Sequence, residues 1–547
     1  MKHGVVGNKT ESGLLPEIFG KLADHEYEIL ESDKGAFADL MQKKDFSGLN
    51  IGEEFAGDIS KYLDDTDEHA AELGFIDTVT CRGGRLYGFN TSFGAFCGLV
   101  AHSGIEMRSR SVLVIGAGAL AKVVSSACVS LGAETVNTVG SFDAAKKYAS
   151  AEIVVNASKD EKLGKTLDLS LFKNLYAVID TTYFPLRTHL ISDAQKKNIL
   201  CEGGLFMLVR QAVLSHEIFT GDKVRYGETE RIYSEIMREK ENIVLIGMPG
   251  CGKSVVGNTT ASLLGRRFID VDSVIEQKYG SVSYILKEKG EDVFRDIEQE
   301  TIADVANETG VVIAVGGGAV IRRQNIDALK ANGKLFFIDR SPELISLSVK
   351  EPLASSRLAQ MALYGQRYSV YRDVADVRVD GDESIKDVAN SIIMKFRRVG
   401  ADGKLRVLII NGPNLNLLGI REPDIYGRET YSDLCARINA YAEKLGVKLE
   451  IFQSNHEGAI VDKIQQSLGN IDALIINPAG YTHTSVAIPD AIKAVGIPTI
   501  EVHLSKVDER EEYRRINYVR EACFDTVLGM GGNGYIEALD RLKKKFD

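Results

Sequence analysis

The sequence predicts an α/β protein built from three consecutive modules with predominantly parallel sheets. Short β-branched runs alternate with amphipathic helical stretches along nearly all of its 547 residues. Two strands run straight into glycine turns followed by helices, VLVIGAGALAKVV at 112–124 and NIVLIGMPGCGKS at 242–254. The strand–helix rhythm also restarts twice, after the polar runs IYSEIMREKEN (232–242) and RRVGADGK (397–404). Those runs are read as linkers and divide the chain at 1–232, 240–398 and 405–547. Three modules suit the length, since one core seldom organises more than about 250–300 residues.

In the first module, Gly116, Gly118 and Ala121 fit G-x-G-x-x-G/A, where missing side chains let a pyrophosphate approach a helix N-terminus. A tight strand-to-helix turn without a ligand satisfies the same pattern, so its function stays open at this level.

The second module opens on a far more specific signal. Gly247 to Ser254 match G-x-x-x-x-G-K-[ST] between a strand and a helix. Gly247, Gly250, Cys251 and Gly252 form a backbone cradle for phosphates, Lys253 reaches the outer phosphate oxygens, and the Ser254 hydroxyl suits Mg²⁺. Cys251 is read as filler within the loop. Downstream stand FIDVD (268–272), VFRDIE (293–298), AVGGGAV (314–320) and QRYSVY (366–371). In this order and spacing they resemble shikimate kinase over nearly the whole module. The resemblance implies ATP as donor, Asp270 with Ser254 at Mg²⁺, and Asp272 polarising the acceptor hydroxyl. It also implies Arg295, Arg367 and Gly316, Gly317 and Gly318 around the substrate. A small carboxylated polyol does call for guanidinium forks and a carboxylate. The family's lid Arg-Pro-Leu reads Glu351-Pro352-Leu353, so a cation expected near the transferring phosphoryl is missing, with Lys350 or Arg357 as substitutes. An altered lid is expected.

In the third module polar residues gather just after apolar strands such as ALIIN and TIEV, where open α/β sheets place their sites. His483 and His503 lack zinc spacing and suit acid–base work instead. NGPNLNLLGIREPDIYG (411–427), QSNHEGAIVD (453–462), INPAGYTHTSVAIPD (476–490) and EVHLSKVDEREEYR (501–514) resemble type II 3-dehydroquinate dehydratase. The resemblance implies a flavodoxin-like fold, no cofactor, and Tyr426 as base with Arg421 favouring its phenolate. It further implies His503 as acid oriented by Glu501, and Asn414 holding the water that stabilises the enolate. Asn477, His483, Leu504, Ser505, Arg510 and Arg514 would bind substrate, and Asp490 would act across a subunit contact. The family's trimers and dodecamers imply a homo-oligomer.

The step between these two reactions is a reduction by NADPH, and the first module resembles shikimate dehydrogenase. GVVGN (4–8), SGLN (47–50), GRLYGFNT (84–91), EIVVNAS (152–158) and GGLFMLVRQA (203–212) keep that frame, including Gln211. The family's paired serines are Gly13 and Leu15, its catalytic lysine is Ala56, its substrate asparagine is Asp77 and its catalytic aspartate is Ser92. Asn137-Thr138-Val139 lacks the arginine that forks the 2′-phosphate of NADP. A two-part Rossmann-type head without hydride transfer is therefore expected, kept as scaffold, regulatory module or interface. Two alternatives stay open: a fully trifunctional enzyme, and a P-loop that runs a regulatory ATP switch.

Bulk properties agree with small-molecule chemistry. A net charge of -11 and a pI near 5.5 give no footprint for nucleic acid or an anionic membrane. Seven cysteines are scattered singly, and no apolar run reaches the roughly 18 residues of a membrane span. A cytoplasmic protein with reduced thiols is expected.

Overall fold

The computed structural model describes all residues except 1, 8–12, 23–26, 159–165, 226, 346–355, 398–403, 420–428, 468–470, 507–515 and 547. The chain forms two compact units, Met1–Val388 and Ala389–Asp547.

The first unit holds three sheets. The outermost has six strands in the order Tyr27–Leu30, His3–Val6, Gly48–Ile51, Thr78–Arg82, Arg85–Phe89 and Asp65–Thr66. This sheet is mixed rather than parallel. Thr78–Arg82 runs antiparallel to both neighbours, turning through Gly83 and Gly84 at φ 58° and 77°, a conformation only glycine adopts cheaply. The second sheet is wholly parallel, ordered Leu200–Glu202, Ala177–Asp180, Ile153–Asn156, Ser111–Ile115 and Thr135–Val139. Its three central strands are buried on both faces, as a sheet covered by helices requires, while the edge strands Leu200–Glu202 and Thr135–Val139 are partly exposed.

The third sheet is also parallel, in the order Phe268–Asp270, Val312–Ala314, Asn242–Ile246, Gly333–Asp339 and Val377–Asp380. The run expected as a linker before it is the end of the helix Glu228–Lys240, whose Ile232 and Ile236 are fully buried with Ile18, Phe19, Val209 and Ala212 of the head. That helix passes almost directly into Asn242–Ile246. Further contacts join head and kinase-like sheets: Leu186 N donates to Asn332 Oδ1 at 3.0 Å, Arg187 N to Ala331 O at 2.8 Å, and Arg187 pairs with Glu241.

The second unit has one parallel sheet ordered Lys448–Gln453, Arg406–Asn411, Ala473–Asn477, Thr499–His503 and Asp525–Leu528. This is a flavodoxin-like order, with the ligand crevice expected beyond the strand C-termini.

Candidate active sites

At that crevice the strand register aligns Asn411 with Asn477 and sets Glu501 and His503 on the next strand. Residues two apart on a strand share a face, so the Glu501 and His503 side chains meet, with Nε2 2.9 Å from Oε1. Glu501 is fully buried. A buried carboxylate is costly unless hydrogen-bonded, and two further side chains donate to this one. Thr482 Oγ1 donates at 2.8 Å, and Asn517 Nδ2 reaches Oε1 and Oε2 at 3.0 and 2.8 Å. Burial works to raise the Glu501 pKa, but the His503, Asn517 and Thr482 interactions outweigh it and hold the carboxyl below its ordinary value.

Asn477 lies one step deeper. Its Nδ2 donates to Tyr535 Oη at 3.1 Å, and that hydroxyl donates to Asn411 Oδ1 at 2.5 Å. Asn411 Nδ2 in turn donates to Tyr431 Oη at 3.2 Å, and burial pushes the Tyr431 phenol up to about 12. Asn414 sits exposed at φ 67°, its backbone amide held by Asn455 Oδ1 at 2.9 Å. His483 Nδ1 lies 2.6 Å from Ile516 O. Leu504 and Ser505 follow His503 directly and are half-buried, and Asp490 is exposed in the first turn of the helix Ala487–Val495. Tyr426, Arg421, Arg510 and Arg514 lie outside the described residues. Thr482, Asn517, Tyr535 and Asn411 escaped the sequence reading. Thr482 and Asn411 carried a signal, standing within the quoted INPAGYTHTS and NGPNLNLLG runs.

The P-loop is built as its pattern demands, with Gly247, Gly250 and Gly252 at φ 149°, 78° and 99°. Cys251 is buried beneath it. Lys253, at the start of the helix Lys253–Leu264, donates to Gly247 O at 3.0 Å and Met248 O at 2.9 Å, which holds its ammonium across the loop. Ser254 Oγ donates to Asp270 Oδ2 at 2.5 Å, and Asp270 Oδ1 caps the helix Val271–Tyr279 at Ser273 N. This pair of hard oxygens fits Mg²⁺.

Beside the loop, a Cβ on Gly316 would lie 3.0 Å from Asp272 Oδ1 and 2.8 Å from Glu298 Oε1. A Cβ on Gly318 would stand 2.2 to 2.4 Å from the Arg295 guanidinium. The glycine triplet is therefore the floor on which Asp272, Glu298 and Arg295 converge. Arg295 donates to Glu298 Oε2 at 2.7 Å and Glu291 Oε1 at 3.1 Å, and the buried Arg367 donates to Gly317 O at 3.1 Å. Glu298 was not singled out from the sequence, although it stands three residues after Arg295 on one helix face. Lys350 and Glu351 to Leu353 lie outside the described residues. Arg357 is tied down, with Nη1 donating to Ile345 O at 3.1 Å and Gln360 Oε1 at 2.9 Å.

The head retains a cleft of about 1110 Å³, lined among others by Glu53, Glu54, Asp77, Ser92, Gln211 and Lys240. Asp77 is buried and accepts from Thr91 N and Ser92 N at 2.8 Å each, which ties it to the start of the helix Thr91–Ser103. Gln211 Nε2 donates to Ser92 Oγ at 3.2 Å. Lys240 is the one cation among the described lining residues, and Glu17 binds it at 2.6 Å. At the glycine turn a Cβ on Gly116 would lie 2.5 Å from Ala157 O, so close backbone approach alone requires glycine there. A Cβ on Gly118 would meet Glu53 Oε1 at 3.4 Å, which sets a carboxylate where the pattern expects a phosphate.

The described parts of the two sites are a crevice on a flavodoxin-like sheet, where Glu501 meets His503, and a P-loop beside a glycine floor. Comparison with known proteins gives the particular families. Residues 405–543 match the family model for dehydroquinase class II, and residues 249–397 match the shikimate kinase model. A 3-dehydroquinate dehydratase from Caldicellulosiruptor bescii is 54% identical over 143 residues, covering 26% of this chain and 99% of that protein. A solved shikimate kinase from Acinetobacter baumannii in complex with shikimate is 30% identical, covering 29% of this chain and 95% of that one, with a TM-score of 0.28. A solved shikimate dehydrogenase from Peptoclostridium difficile is 22% identical, covering 43% and 97%, with a TM-score of 0.39. The chain belongs to the dehydroquinase class II family and also carries a shikimate kinase domain; it is a multifunctional enzyme of the shikimate pathway.

Proposed function

We propose that residues 405–547 dehydrate 3-dehydroquinate to 3-dehydroshikimate, that residues 240–398 phosphorylate shikimate, and that residues 1–232 transfer no hydride. In the dehydratase, Tyr426 takes the proton beside the ketone as a phenolate favoured by Arg421. Asn414 holds the water that stabilises the enolate, and His503 protonates the departing hydroxyl, so that water leaves. Asn477, His483, Leu504, Ser505, Arg510 and Arg514 bind the substrate. Glu501 is a positioning residue. Its 2.9 Å contact with His503 is the observation that carries this reading, because a buried carboxylate bonded to one ring nitrogen fixes the orientation of the imidazole.

In the kinase, Asp272 accepts the proton of the attacking hydroxyl, while Arg295 and Arg367 hold the substrate carboxylate over the glycine floor. Lys253 and the loop amides bind the ATP phosphates. Ser254 and Asp270 would hold Mg²⁺, which would neutralise phosphate charge. In the head, the sign of the lining supports loss of function: Glu53 and Glu54 oppose an anionic substrate and an anionic cofactor alike.

The test supplies dehydroquinate, ATP, Mg²⁺ and NADPH to the full chain. Dehydroshikimate should accumulate, NADPH should persist, and added shikimate should be phosphorylated. Robust NADPH oxidation by dehydroshikimate would overturn the reading of the head. For Glu501→Gln, kcat should fall about tenfold to a hundredfold with an altered pH profile; an unchanged profile would remove its positioning role.

A further inference from the structure

The proposed lid sequence reads glutamate where a cation belongs, yet a guanidinium stands beside the phosphate loop. Arg340 follows the strand Gly333–Asp339, which pairs with the P-loop strand so that Ile246 aligns with Phe337. This sets Arg340 at the C-terminal edge of the sheet, where open parallel sheets bind ligands. Among the described residues, the atom nearest a Cβ built on Gly252, apart from its chain neighbours, is Arg340 Nη1, at 3.7 Å. On its other side a Cβ on Gly381 would meet Arg340 Cβ at 3.1 Å, so the side chain rises between the P-loop and the segment after the strand Val377–Asp380.

The guanidinium is underused. Its Nε is buried with no hydrogen-bond partner, a costly state for a cation unless a ligand relieves it. The neighbouring carboxylates take their hydrogen bonds elsewhere, although the Ser341 hydrogen bonds, with the Arg340 charge, hold the Asp382 carboxyl below its ordinary value. Asp382 accepts from Ser341 N at 2.7 Å and from Ser341 Oγ, and Asp339 Oδ2 accepts from Arg378 Nε at 2.6 Å and Tyr368 Oη at 3.1 Å. The other described cations of the pocket are spoken for by the contacts of Lys253, Arg295, Arg357 and Arg367 given above.

We propose that Arg340 binds the phosphates of the nucleotide, giving the kinase domain a cation on the Gly252 side of the P-loop. The assignment rests on the kinase reading and extends it to a residue outside the P-loop and the substrate-binding arginines. A guanidinium there offers a planar fork to phosphate oxygens, a match a lysine ammonium makes less well.

Calorimetric titration of the full chain with Mg²⁺–ADP tests both readings separately. The parent protein should bind ADP, and its failure to do so would remove the kinase reading and this proposal together. Arg340→Ala should weaken ADP binding about tenfold, consistent with one charge-assisted contact, with Arg340→Lys in between. Adenosine competition should be unchanged. Steady-state assays should show KM for ATP rising while KM for shikimate holds. Equal ADP affinity in Arg340→Ala, or an equal loss for adenosine, would overturn the proposal. A melting temperature without nucleotide that matches the parent in Arg340→Lys guards against a folding defect.

Discussion

The kinase pocket and the head cleft lie in one compact unit, and they point opposite charges at their ligands. In the kinase, Arg295 and Arg367 meet the glycine floor and Lys253 lies across the P-loop. In the head, Glu53 and Glu54 line a cavity of about 1110 Å³ whose one described cation is bound by Glu17. The head cleft is formed although its lining is acidic, so burial and strand order preserve a cleft regardless of what it recognises. Recognition depends on a few side chains that contribute little to the core. A fold can therefore outlast its chemistry, and the sign of the lining separates the two cases.

The largest expected effect comes from discharging the kinase side. Arg367→Ala should lower kcat/KM for shikimate by about a thousandfold, since an unpaired substrate carboxylate loses a charge-assisted contact worth roughly 2–5 kcal/mol. Steady-state phosphorylation at saturating ATP measures it, and a loss under tenfold would remove Arg367 from the carboxylate site. A smaller effect is expected from Gly318→Ala. The new methyl lands on the Arg295 guanidinium, the mobile end of a long side chain, so stability should barely change. The displaced fork should instead raise KM for shikimate about ten- to a hundredfold.

Much of this was legible in the sequence because backbone necessity leaves a signature. The P-loop glycines, the GGG floor and the apolar strands are residue types that only certain geometries tolerate. Both parallel sheets flanking them follow from the same alternation. Long-range partners leave no such trace. Asn517 and Tyr535 complete buried polar networks from 16 to 124 residues away in sequence, and nothing local marks them. The run 232–242 misled for a related reason. Its exposed face is rich in charge and reads as a linker, while Ile232 and Ile236 are buried against the helices Leu15–Leu22 and Leu205–Thr220, which lie elsewhere in the chain. The antiparallel hairpin in the head was readable at Gly83-Gly84, but a rule of parallel sheets overrode it.

On the head side the comparison is sharpened by Asp77. If it is structural, Asp77→Ala should leave NADPH oxidation absent and cost about 3 kcal/mol in stability, because the buried amides of Thr91 and Ser92 lose their acceptor. Denaturant unfolding of the full chain would show it as an earlier transition for the first unit. A near-neutral result would mean that the cleft tolerates loss of that charge and that its acidity is not built into the fold.

The smallest effect concerns how the head holds the helix that leads into the kinase. Glu202 is buried near Tyr233 of that helix, and burial pushes its carboxyl up to about 7, only partly opposed by hydrogen bonds from Gly203 and Tyr233. A carboxyl whose folded value exceeds its unfolded one favours the folded state while protonated. That stability is complete below about 4.5 and is lost as pH rises through about 7. Between pH 5 and 7.5 the first unit should therefore lose about 2 kcal/mol, a shift that linkage predicts from these two values. Glu202→Gln keeps the shape without the proton and should flatten this dependence in melting curves across that range. A parent and variant with parallel pH profiles would place the Glu202 carboxyl in water, and would detach the kinase from any protonation event in the head.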